Sequence, residues 1–315
     1  MKHVSVLLEE CIDALEIKPD GIYVDCTVGY GGHSSYILPK LLTGKLYGFD
    51  QDINAIKYSQ EKLSSISNNF ELINNNFSNL KEELEKRNVN KVNGFLFDLG
   101  VSSPQLDNAD RGFSFHQDAK LDMRMNQSQL LSAYEVVNEY SYNDLKKILY
   151  EYGEEKYSSS IASNIVKYRE TKKIETTFEL VDIIKSSMPM SAKRDAHPAR
   201  KTFQAIRIEV NKELEILTLT MIDAINKLEV GGIIAVITFH SLEDKIIKKV
   251  FKKYSMIDDI VKGFYEIPEE YKPIIELVNE KVITATQEEL ENNKRSRSAK
   301  LRIIKKVKDK QIKEG

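Results

Sequence analysis

Short apolar runs alternate with helical segments through the first part of the chain, and this alternation restricts it to very few folds. The apolar runs predict buried strands at residues 21–26, 45–50, 70–73 and 92–98. Helical periodicity separates them, at residues 33–42, 53–63 and 80–87. Because parallel strands are joined through helical crossovers, this order predicts βαβ units and a parallel sheet.

The alternation stops after Asp98. Apolar residues then recur at steps of three and four without a convincing strand, and Thr176 with Glu179 forms a helix-capping signature. We therefore predict an all-helical domain, residues 105–195, inserted after the fourth strand. Residues 1–104 and 196–315 then form one discontinuous α/β core. We expect the insertion over the carboxyl ends of the strands, where such sheets bind ligands.

The sheet pattern resumes near the end of the chain. One long helix is predicted from His197 to Leu228 and is ended by Gly231-Gly232. A buried strand at 233–239 and a helix at 242–251 follow. Two more strands are predicted at 281–284 and 301–304.

The composition favours a soluble protein of a reducing compartment. Among 315 residues there are two cysteines, Cys11 and Cys26, too few for a disulfide framework, and no Cys/His cluster has metal-ligand spacing. No apolar run approaches the ~20 residues of a membrane span. Glu9-Glu10 interrupts the first apolar stretch, which argues against a secretory leader at Met1. We expect a cytoplasmic protein with no membrane segment and no metal.

The charge is unevenly distributed. The net charge is −2, but residues 291–315 hold ten Lys/Arg against three acids, and residues 193–212 hold six against two. Such segments attract phosphate backbones even when the whole protein is acidic. We assign the C-terminal segment, with Lys294, Arg295 and Arg297, to nucleic acid, a solvated tail being the alternative. Deleting the chain after Asn293 is therefore expected to weaken substrate binding more than cofactor binding.

A glycine-rich turn follows the first strand, at Gly29, Gly31 and Gly32. Such a turn lets a ligand approach the backbone and the next helix N-terminus. Asp50 ends the second strand, where a carboxylate can accept both hydroxyls of a ribose, a helix cap being the alternative. S-adenosylmethionine and NAD both fit this pattern.

The fourth strand ends in a polar loop that favours S-adenosylmethionine. Asp98, Ser102 and Ser103 offer acceptors for the N–H groups of an exocyclic base amine. Because the lone pair of such an amine is delocalised, acceptors that hold it in line with the methyl donor assist transfer. An ordinary turn is the alternative. His240, after the fifth strand, is a candidate to orient the base or to hydrogen-bond the Asp98 loop.

Candidate nucleic-acid contacts lie beyond this loop. Arg200 and Arg207 belong to a polar stripe on the predicted long helix and are candidates to hold phosphates, with a solvated face as the alternative. Phe113 and Phe115, beside Arg111, are candidates to stack on an extruded base, with packing in the protein as the alternative.

Seven motifs together resemble one bacterial family, the 16S ribosomal RNA cytosine-N4 methyltransferases called RsmH or MraW. The motifs are Gly31-Gly32-His33 and residues 98–105, 111–115, 121–125, 203–207, 239–244 and 297–302. With His3 they extend in order over nearly the whole chain. Ala119-Lys120 and Asn293-Lys294 depart from the Gly-Pro and Asn-Pro that are usual in the family.

The resemblance implies a Rossmann-like SAM-dependent methyltransferase sheet and methyl transfer to N4 of a cytosine in the decoding region of 16S rRNA, within the small ribosomal subunit. It also implies the cofactor contacts: Gly31, Gly32 and His33 at the methionine end, Asp50 on the ribose, Phe77 beside the adenine, and Asp98 and Gln105 completing the pocket.

Other functions are less consistent with the residues. Methylation at C5 of a pyrimidine needs a cysteine nucleophile, and neither cysteine lies in a catalytic loop. An NAD-dependent oxidoreductase and a SAM-binding assembly factor without turnover remain as alternatives. No residue is an obvious general base, and the pattern is compatible with a monomer or a homodimer.

Overall fold

The computed structural model of the protein describes residues 5–193, 197–257, 259–261 and 263–312. The chain divides into two compact units, Met1–Gly100 with Leu214–Gly315, and Val101–Glu213. We call them the α/β unit and the helical unit. Met1, where a secretory leader was argued against, His3 of the family motifs, Arg194 of the basic segment and the last three residues of the C-terminal segment lie outside the described residues.

A seven-stranded sheet forms the α/β unit, in the order β3-β2-β1-β4-β5-β7-β6. The strands are β1 Ile22–Asp25, β2 Lys45–Asp50, β3 Phe70–Asn74, β4 Val92–Asp98, β5 Leu228–Thr238, β6 Ile275–Leu277 and β7 Lys300–Lys306. The first five are parallel, and β7 runs antiparallel to both β5 and β6. The predicted fold class, a Rossmann-like sheet with a helical insertion after its fourth strand, is confirmed.

Helices cover both faces of this sheet. They are α1 Leu8–Ala14, α2 Ser34–Ile37, α3 Ile53–Ser64, α4 Leu80–Lys86, α11 Leu217–Lys227 and α12 Ser241–Ser255. A further helix of this unit, α13 Gln287–Asn292, packs against the 3-10 turn Lys294–Ser298. Since side chains alternate along a strand, Phe95 and Phe97 of β4 enter one apolar core with α4, α11 and α12. Leu96 enters the other, with α1, α2 and α3. Burial on both faces explains the nearly continuous apolar runs.

The helical unit contains α5 Ser103–Asp107, α6 Ala133–Glu139, α7 Tyr142–Glu151, α8 Ser158–Arg169, α9 Thr177–Ser186 and α10 Arg200–Asn211. These helices share one apolar core, with members such as Val136, Leu149, Ile165 and Ile184. As expected from the periodicity, the described residues of this unit show only an isolated bridge, Lys120 to Thr176, and no strand.

The predicted long helix from His197 to Leu228 is wrong, because the chain forms two helices, α10 and α11. Lys212 adopts a left-handed conformation (φ 55°) and ends α10. Both helices have the same apolar spacing, so periodicity alone did not show the break. Phe203 lies in the core of the helical unit, whereas Met221 lies in a core of the α/β unit.

This break also corrects the predicted domain boundaries. The helical unit extends from Val101 to Glu213 rather than from 105 to 195. The physical reason is that α10 packs against α6 and α7, and buries Phe203, Ile206 and Val210 among their apolar side chains.

Three local predictions are also corrected. Gly231-Gly232 do not end a helix but lie within β5. The helix predicted at 33–42 is α2 followed by a 3-10 turn, Leu38–Lys40, that contains Pro39. The strand predicted at 281–284 is a single bridge, Ile283 to Leu301. Upstream of that bridge, the Asn279 side chain accepts the N–H of Ile303 (2.7 Å) and interrupts the ladder along β7.

No helix in the described parts of the chain is both long enough and apolar enough to cross a membrane.

Candidate functional site

The turn after β1 is built around Asp25, a buried carboxylate. Asp25 Oδ2 accepts the Ser34 hydroxyl (2.6 Å), and Oδ1 accepts the N–H of Thr27 (3.1 Å). These bonds join the end of β1 to the start of α2. Between them Gly31 has a φ of 67°, which a residue with a side chain rarely adopts. A Cβ on Gly32 would lie 2.0 Å from Ser5 Oγ, so the N-terminal segment also requires glycine there.

Asp50, at the end of β2, is held against this turn. Its Oδ2 accepts the N–H of Gly29 (2.9 Å), and its Oδ1 accepts the N–H of Asp52 (2.8 Å). The cap of α3 is Asp52, whose side chain accepts from Asn54. The helix cap that was the alternative role for Asp50 is therefore performed by its neighbour.

Asp98, at the end of β4, has an acceptor atom that the described part of the chain leaves unused. Its Oδ1 is buried and has no hydrogen-bond partner there. Its Oδ2 lies 3.8 Å from His33 Nδ1, while the other ring nitrogen of His33 lies 3.0 Å from the carbonyl oxygen of Val6. The backbone N–H of Asp98 donates to the Thr27 hydroxyl (2.6 Å).

The three carboxylates share an environment that opposes negative charge. Burial raises the pKa of Asp25 to about 6 and that of Asp50 to about 7. Burial, with the charges of Asp25 and Glu243, raises the pKa of Asp98 to about 8. They occupy the ends of the adjacent strands β2, β1 and β4. A positively charged ligand at this edge would be stabilised by the carboxylates and would lower their pKa values.

Asp25 was not among the predicted site residues. Its signal in the sequence is a carboxylate at the end of an otherwise apolar strand, directly before the glycine turn. A buried acid in such a run needs hydrogen-bond donors, which Ser34 and Thr27 provide. We regard Asp25 as the residue that shapes the turn.

Phe77 follows β3 and begins the 3-10 turn Phe77–Asn79. It is half-buried, and its ring stands edge-on to Phe97, with centroids 5.8 Å apart. Asn76 donates to the side chain of Gln51 (3.1 Å), which ties this turn to the residue after Asp50. The predicted adenine contact and the predicted ribose contact therefore belong to linked loops.

His240 caps α12 and bonds to its own helix. Its Nε2 lies 3.1 Å from Glu243 Oε1, and the Glu243 carboxylate also accepts the N–H of Phe239 (2.8 Å). Two other bonds form the capping box that orients the start of α12: the N–H of Glu243 donates to His240 Nδ1 (3.5 Å), and the N–H of His240 donates to Glu243 Oε2 (3.3 Å). The structure thus gives His240 a positioning contact with Glu243, and its contact with a base stays a prediction.

Ser102 and Gln105 form a second capping box, at the start of α5 in the helical unit. Ser102 accepts the N–H of Gln105 (3.4 Å), and Gln105 Oε1 accepts the N–H of Ser102 (3.0 Å). Ser103 is buried next to them. The predicted roles of all three in catalysis or cofactor binding stay predictions, and their local role is to start this helix.

Arg111 and Phe113 are buried in the helical unit, where Phe113 has the packing role that was its alternative, and the contacts of both with RNA stay predictions. Arg111 is buried, and its guanidinium donates to the carbonyl oxygens of Arg124 (2.8 Å) and Met125 (3.2 Å). Phe113 is 5% exposed and lies in the core of the helical unit. Their motif holds a neighbouring loop in place, because loop carbonyls buried from water need donors.

Phe115 already belongs to an aromatic cluster. Its ring stacks on that of His197 at 4.4 Å and meets Phe203 edge-on at 5.6 Å. His116, which is exposed, lies 4.5 Å from the same ring. Stacking of a base directly on Phe115 stays a prediction. Within this cluster, His116 is the ring that is exposed to solvent.

The polar stripe on α10 consists of Arg200, Gln204, Arg207 and Asn211, and only the first of them is exposed. Arg200 is exposed, as the RNA prediction requires. Arg207 instead forms two hydrogen bonds of 2.8 Å with Glu213, so its charge is already paired within the helical unit. Asn211 donates to the carbonyl of Met123 (2.8 Å). Helical periodicity in the sequence identified this polar face of α10, but it did not show which protein groups its side chains bond.

Lys294, Arg295 and Arg297 are exposed in the 3-10 turn Lys294–Ser298. The residues after them are not a tail, because β7 lies between β5 and β6 in the sheet and buries Leu301 and Ile304. The deletion expected to weaken substrate binding would remove this strand.

Comparisons with known proteins agree on one family. The model of the MraW methylase family matches residues 1–307. The ribosomal RNA small subunit methyltransferase H of Exiguobacterium sibiricum is 56% identical over 309 residues, 98% of this chain and 99% of that one. The protein of the same name from Lactobacillus delbrueckii subsp. bulgaricus is 53% identical over 312 residues, 97% and 99% of the two chains.

Solved structures are more distant. An rRNA methylase from Streptococcus thermophilus has a TM-score of 0.43 and 13% identity, over 97% of this chain and 99% of that one. A putative methyltransferase from Streptococcus mutans, in complex with SAH, has a TM-score of 0.43 and 13% identity, over 96% and 99%.

Proposed function

The chain belongs to the MraW methylase family, and on this premise we propose that it transfers a methyl group from S-adenosylmethionine to N4 of a cytosine in the decoding region of 16S ribosomal RNA. Its relatives at 53% and 56% identity are named ribosomal RNA small subunit methyltransferase H. The enzyme is thus a methyltransferase whose substrate is RNA of the small ribosomal subunit.

One observation carries the proposal: Asp25, Asp50 and Asp98 converge at the ends of three adjacent strands around a glycine turn. S-adenosylmethionine carries a sulfonium and an ammonium, and such positive groups suit an edge where three carboxylates have raised pKa values. An NAD pyrophosphate would instead bring negative charge next to these acids.

The residues fit this cofactor on structural grounds. The buried Oδ1 of Asp98 is an acceptor still to be satisfied within the described residues. Asp50 would accept the ribose hydroxyls, Phe77 would flank the adenine, and Gly31, Gly32 and His33 would surround the methionine end. The family resemblance adds Gln105 as a further proposed cofactor contact. When bound, S-adenosylmethionine supplies a methyl group on a positively charged sulfur.

Asp98 has the central role toward the base. As a carboxylate it accepts an N–H of the exocyclic amine and holds the nitrogen in line with the methyl group. The nitrogen gains positive charge as the new bond forms, so a fixed carboxylate stabilises the transition state more than the ground state. Ser102, Ser103 and His240 would orient the remaining polar edge of the cytosine.

The helical unit would recognise the RNA around that cytosine, with Arg200 on its exposed face. Transfer needs no metal, because the leaving group is a neutral thioether. We place the reaction in the cytoplasm, where small subunits are assembled, and a single chain holds the reacting residues whether the protein is a monomer or a homodimer.

The test uses S-adenosylmethionine labelled in its methyl group and small subunits that lack the modification, followed by nucleoside analysis. We expect labelled N4-methylcytidine from the wild-type protein and a loss of label with Asp98→Ala. Intact binding of S-adenosylmethionine without any labelled nucleoside would favour the assembly-factor alternative. Binding of NADH in preference to S-adenosylmethionine would favour an oxidoreductase.

A further inference from the structure

Helix α12 presents five lysines on one side. Lys245, Lys248, Lys249, Lys252 and Lys253 are all exposed. Their positions are i, i+3, i+4, i+7 and i+8, which lie on one face of an α-helix. We call them the α12 lysine face. Its apolar residues, Ile247, Val250 and Phe251, are buried in a core of the α/β unit.

The acids of the same helix do not neutralise this face. Glu243 is buried beside His240 at the helix start. Asp244 pairs with Arg302 (2.8 Å) and Lys300 (3.4 Å) of β7. In the described part of the chain, none of the five lysines lies within 4.0 Å of a carboxylate oxygen.

Helix stability explains only part of this pattern. Lysines in the last turn of a helix interact favourably with its dipole, which accounts for Lys252 and Lys253. Lys245, Lys248 and Lys249 lie further from the C-terminus and gain little from it. The face extends about 12 Å from Lys245 to Lys253 at ~1.5 Å per residue. In a chain of net charge −2, it concentrates positive charge on one exposed surface.

Its location relates it to the reaction centre. Helix α12 follows β5 directly, and β5 lies beside β4, where the N–H of Leu99 donates to the carbonyl of Ile237 (3.1 Å). The helix that carries the lysine face therefore starts beside the strand end that carries Asp98. Asp244 also connects α12 to β7 through its ion pair with Arg302. The exposed Lys294, Arg295 and Arg297 lie in the turn directly before β7.

We propose that the α12 lysine face is a docking surface for the phosphate backbone of the RNA substrate. This inference rests on the proposed function, since that function makes RNA the partner. Lysine ammonium groups attract phosphates and release the condensed counterions, without reading the sequence. The surface would hold the RNA segment next to the target cytosine, and it is separate from the pocket that binds the cofactor.

RNA suits this surface better than a membrane does. A helix that lies on a membrane inserts an exposed apolar face beneath its basic residues. The apolar face of α12 is already buried, with Ile247 at 0% and Phe251 at 2% exposure. An acidic protein is the remaining class of partner, and the experiment separates it from RNA.

The test variant replaces three lysines of the face, Lys248→Gln, Lys249→Gln and Lys252→Gln. The matched control replaces three exposed lysines on other parts of the α/β unit, Lys40→Gln, Lys57→Gln and Lys81→Gln. A third variant keeps the charge, with Lys248→Arg, Lys249→Arg and Lys252→Arg. Thermal unfolding and S-adenosylmethionine binding of each establish that the fold and the pocket are intact.

The readouts are the KM for unmodified small subunits, the kcat, and the salt dependence of binding to naked 16S rRNA. For the glutamine variant of the face we expect a KM increase of about tenfold with a nearly constant kcat. The slope of log K against log salt should fall by about 2, at ~0.7 for each lost phosphate contact. The arginine variant and the control should stay near wild type.

Two results would overturn the proposal. One is an unchanged KM and salt slope in the glutamine variant. The other is weaker binding to subunits with unchanged binding to naked RNA, which would indicate a ribosomal protein as the partner. Failure of the proposed function is a distinct outcome, because wild-type protein would then form no methylated nucleoside, while RNA binding is measured without turnover.

Discussion

At the scale of single residues, the site is defined by how each carboxylate is held. Asp25 is satisfied by Ser34 and Thr27 and supports the turn. Asp50 is bonded to two backbone N–H groups, and Asp98 keeps an acceptor atom unused within the described residues. These differences support the proposed roles of Asp25 as a structural acid, Asp50 as a ligand-binding acid and Asp98 as the acid that faces the reaction.

Asp50→Ala should weaken S-adenosylmethionine binding by about 10- to 100-fold, since hydrogen bonds to a charged group contribute ~1.5–3 kcal/mol. Asp50→Asn keeps the shape and one acceptor, so its loss should be smaller. Calorimetric titration measures both, and thermal unfolding provides the control for folding. An unchanged dissociation constant in the alanine variant would contradict the ribose contact.

The affinity for S-adenosylmethionine should rise with pH. The raised pKa values of Asp50, about 7, and Asp98, about 8, mean that both acids are largely protonated at pH 6 and become ionised as the pH rises to 8. Because the cofactor is cationic, we expect binding to be about tenfold tighter at pH 8 than at pH 6. S-adenosylhomocysteine, which lacks the sulfonium charge, should depend less on pH. Equal pH dependence of the two would contradict this.

The same groups give the opposite pH dependence to the stability of the free protein. A carboxyl whose pKa is raised by folding stabilises the folded state below its unfolded pKa, and that stabilisation is lost as the pH rises through the folded value. For Asp25, Asp50 and Asp98 the loss extends from about pH 4 to about pH 8. Bound S-adenosylmethionine should oppose this loss of stability, because its positive charge stabilises the ionised carboxylates.

Asp98→Ala should lower the kcat by about 100-fold, the usual effect of removing one group that stabilises a transition state. The expected loss of turnover exceeds any loss of stability, because Asp98 Oδ1 makes no hydrogen bond to the described residues. Single-turnover methylation and chemical unfolding measure the two effects. Normal turnover in a folded variant would exclude the proposed role.

At the scale of elements, helix starts explain many polar residues of the motifs. Capping boxes begin α5, α6, α9 and α12. The first and the last of these use predicted site residues, Ser102, Gln105 and His240. A residue type suited to chemistry is often also suited to capping, so the sequence left both roles open.

Ser102→Ala should destabilise the protein by about 1 kcal/mol, the usual cost of losing a cap. Turnover should fall with it, because the backbone N–H of Gln105 loses the hydroxyl that accepts it and the start of α5 is held less firmly. Ser102→Thr keeps a capping hydroxyl and should restore both properties. Denaturant unfolding and methyl transfer are the measurements. Restored stability with persistently low turnover would instead indicate a direct contact between this hydroxyl and the base.

At the scale of the whole molecule, one continuous apolar stripe serves two cores. The residues of α10 pack in the helical unit and those of α11 in the α/β unit, with the left-handed Lys212 near the boundary. The C-terminal segment is likewise divided, since its exposed basic turn is followed by the buried strand β7.

Deleting the chain after Asn293 should therefore abolish cooperative unfolding, because the sheet loses the strand between β5 and β6. The charge hypothesis needs a milder change, Lys294→Gln, Arg295→Gln and Arg297→Gln. We expect this variant to keep its unfolding temperature and to bind small subunits several-fold more weakly, with a lower salt slope. A truncated protein that unfolds cooperatively would contradict the structural role of β7.

The sequence by itself determined the sheet, the insertion and the residues at the strand ends. Strands buried on both faces need long apolar runs, and the glycine turn and Asp50 follow from local chain geometry. These features depend on neighbours in the sequence, so they could be predicted from it. The family motifs added the chemistry expected at that edge.

Only the tertiary structure decided which polar residues are already engaged. Arg207 is paired with Glu213, Arg111 with loop carbonyls, and Asp52 rather than Asp50 caps α3. It also revealed the α12 lysine face, because exposure depends on which side of the helix the core covers. Burial and pairing arise from contacts between distant segments, and the spacing of residues along one segment does not contain them.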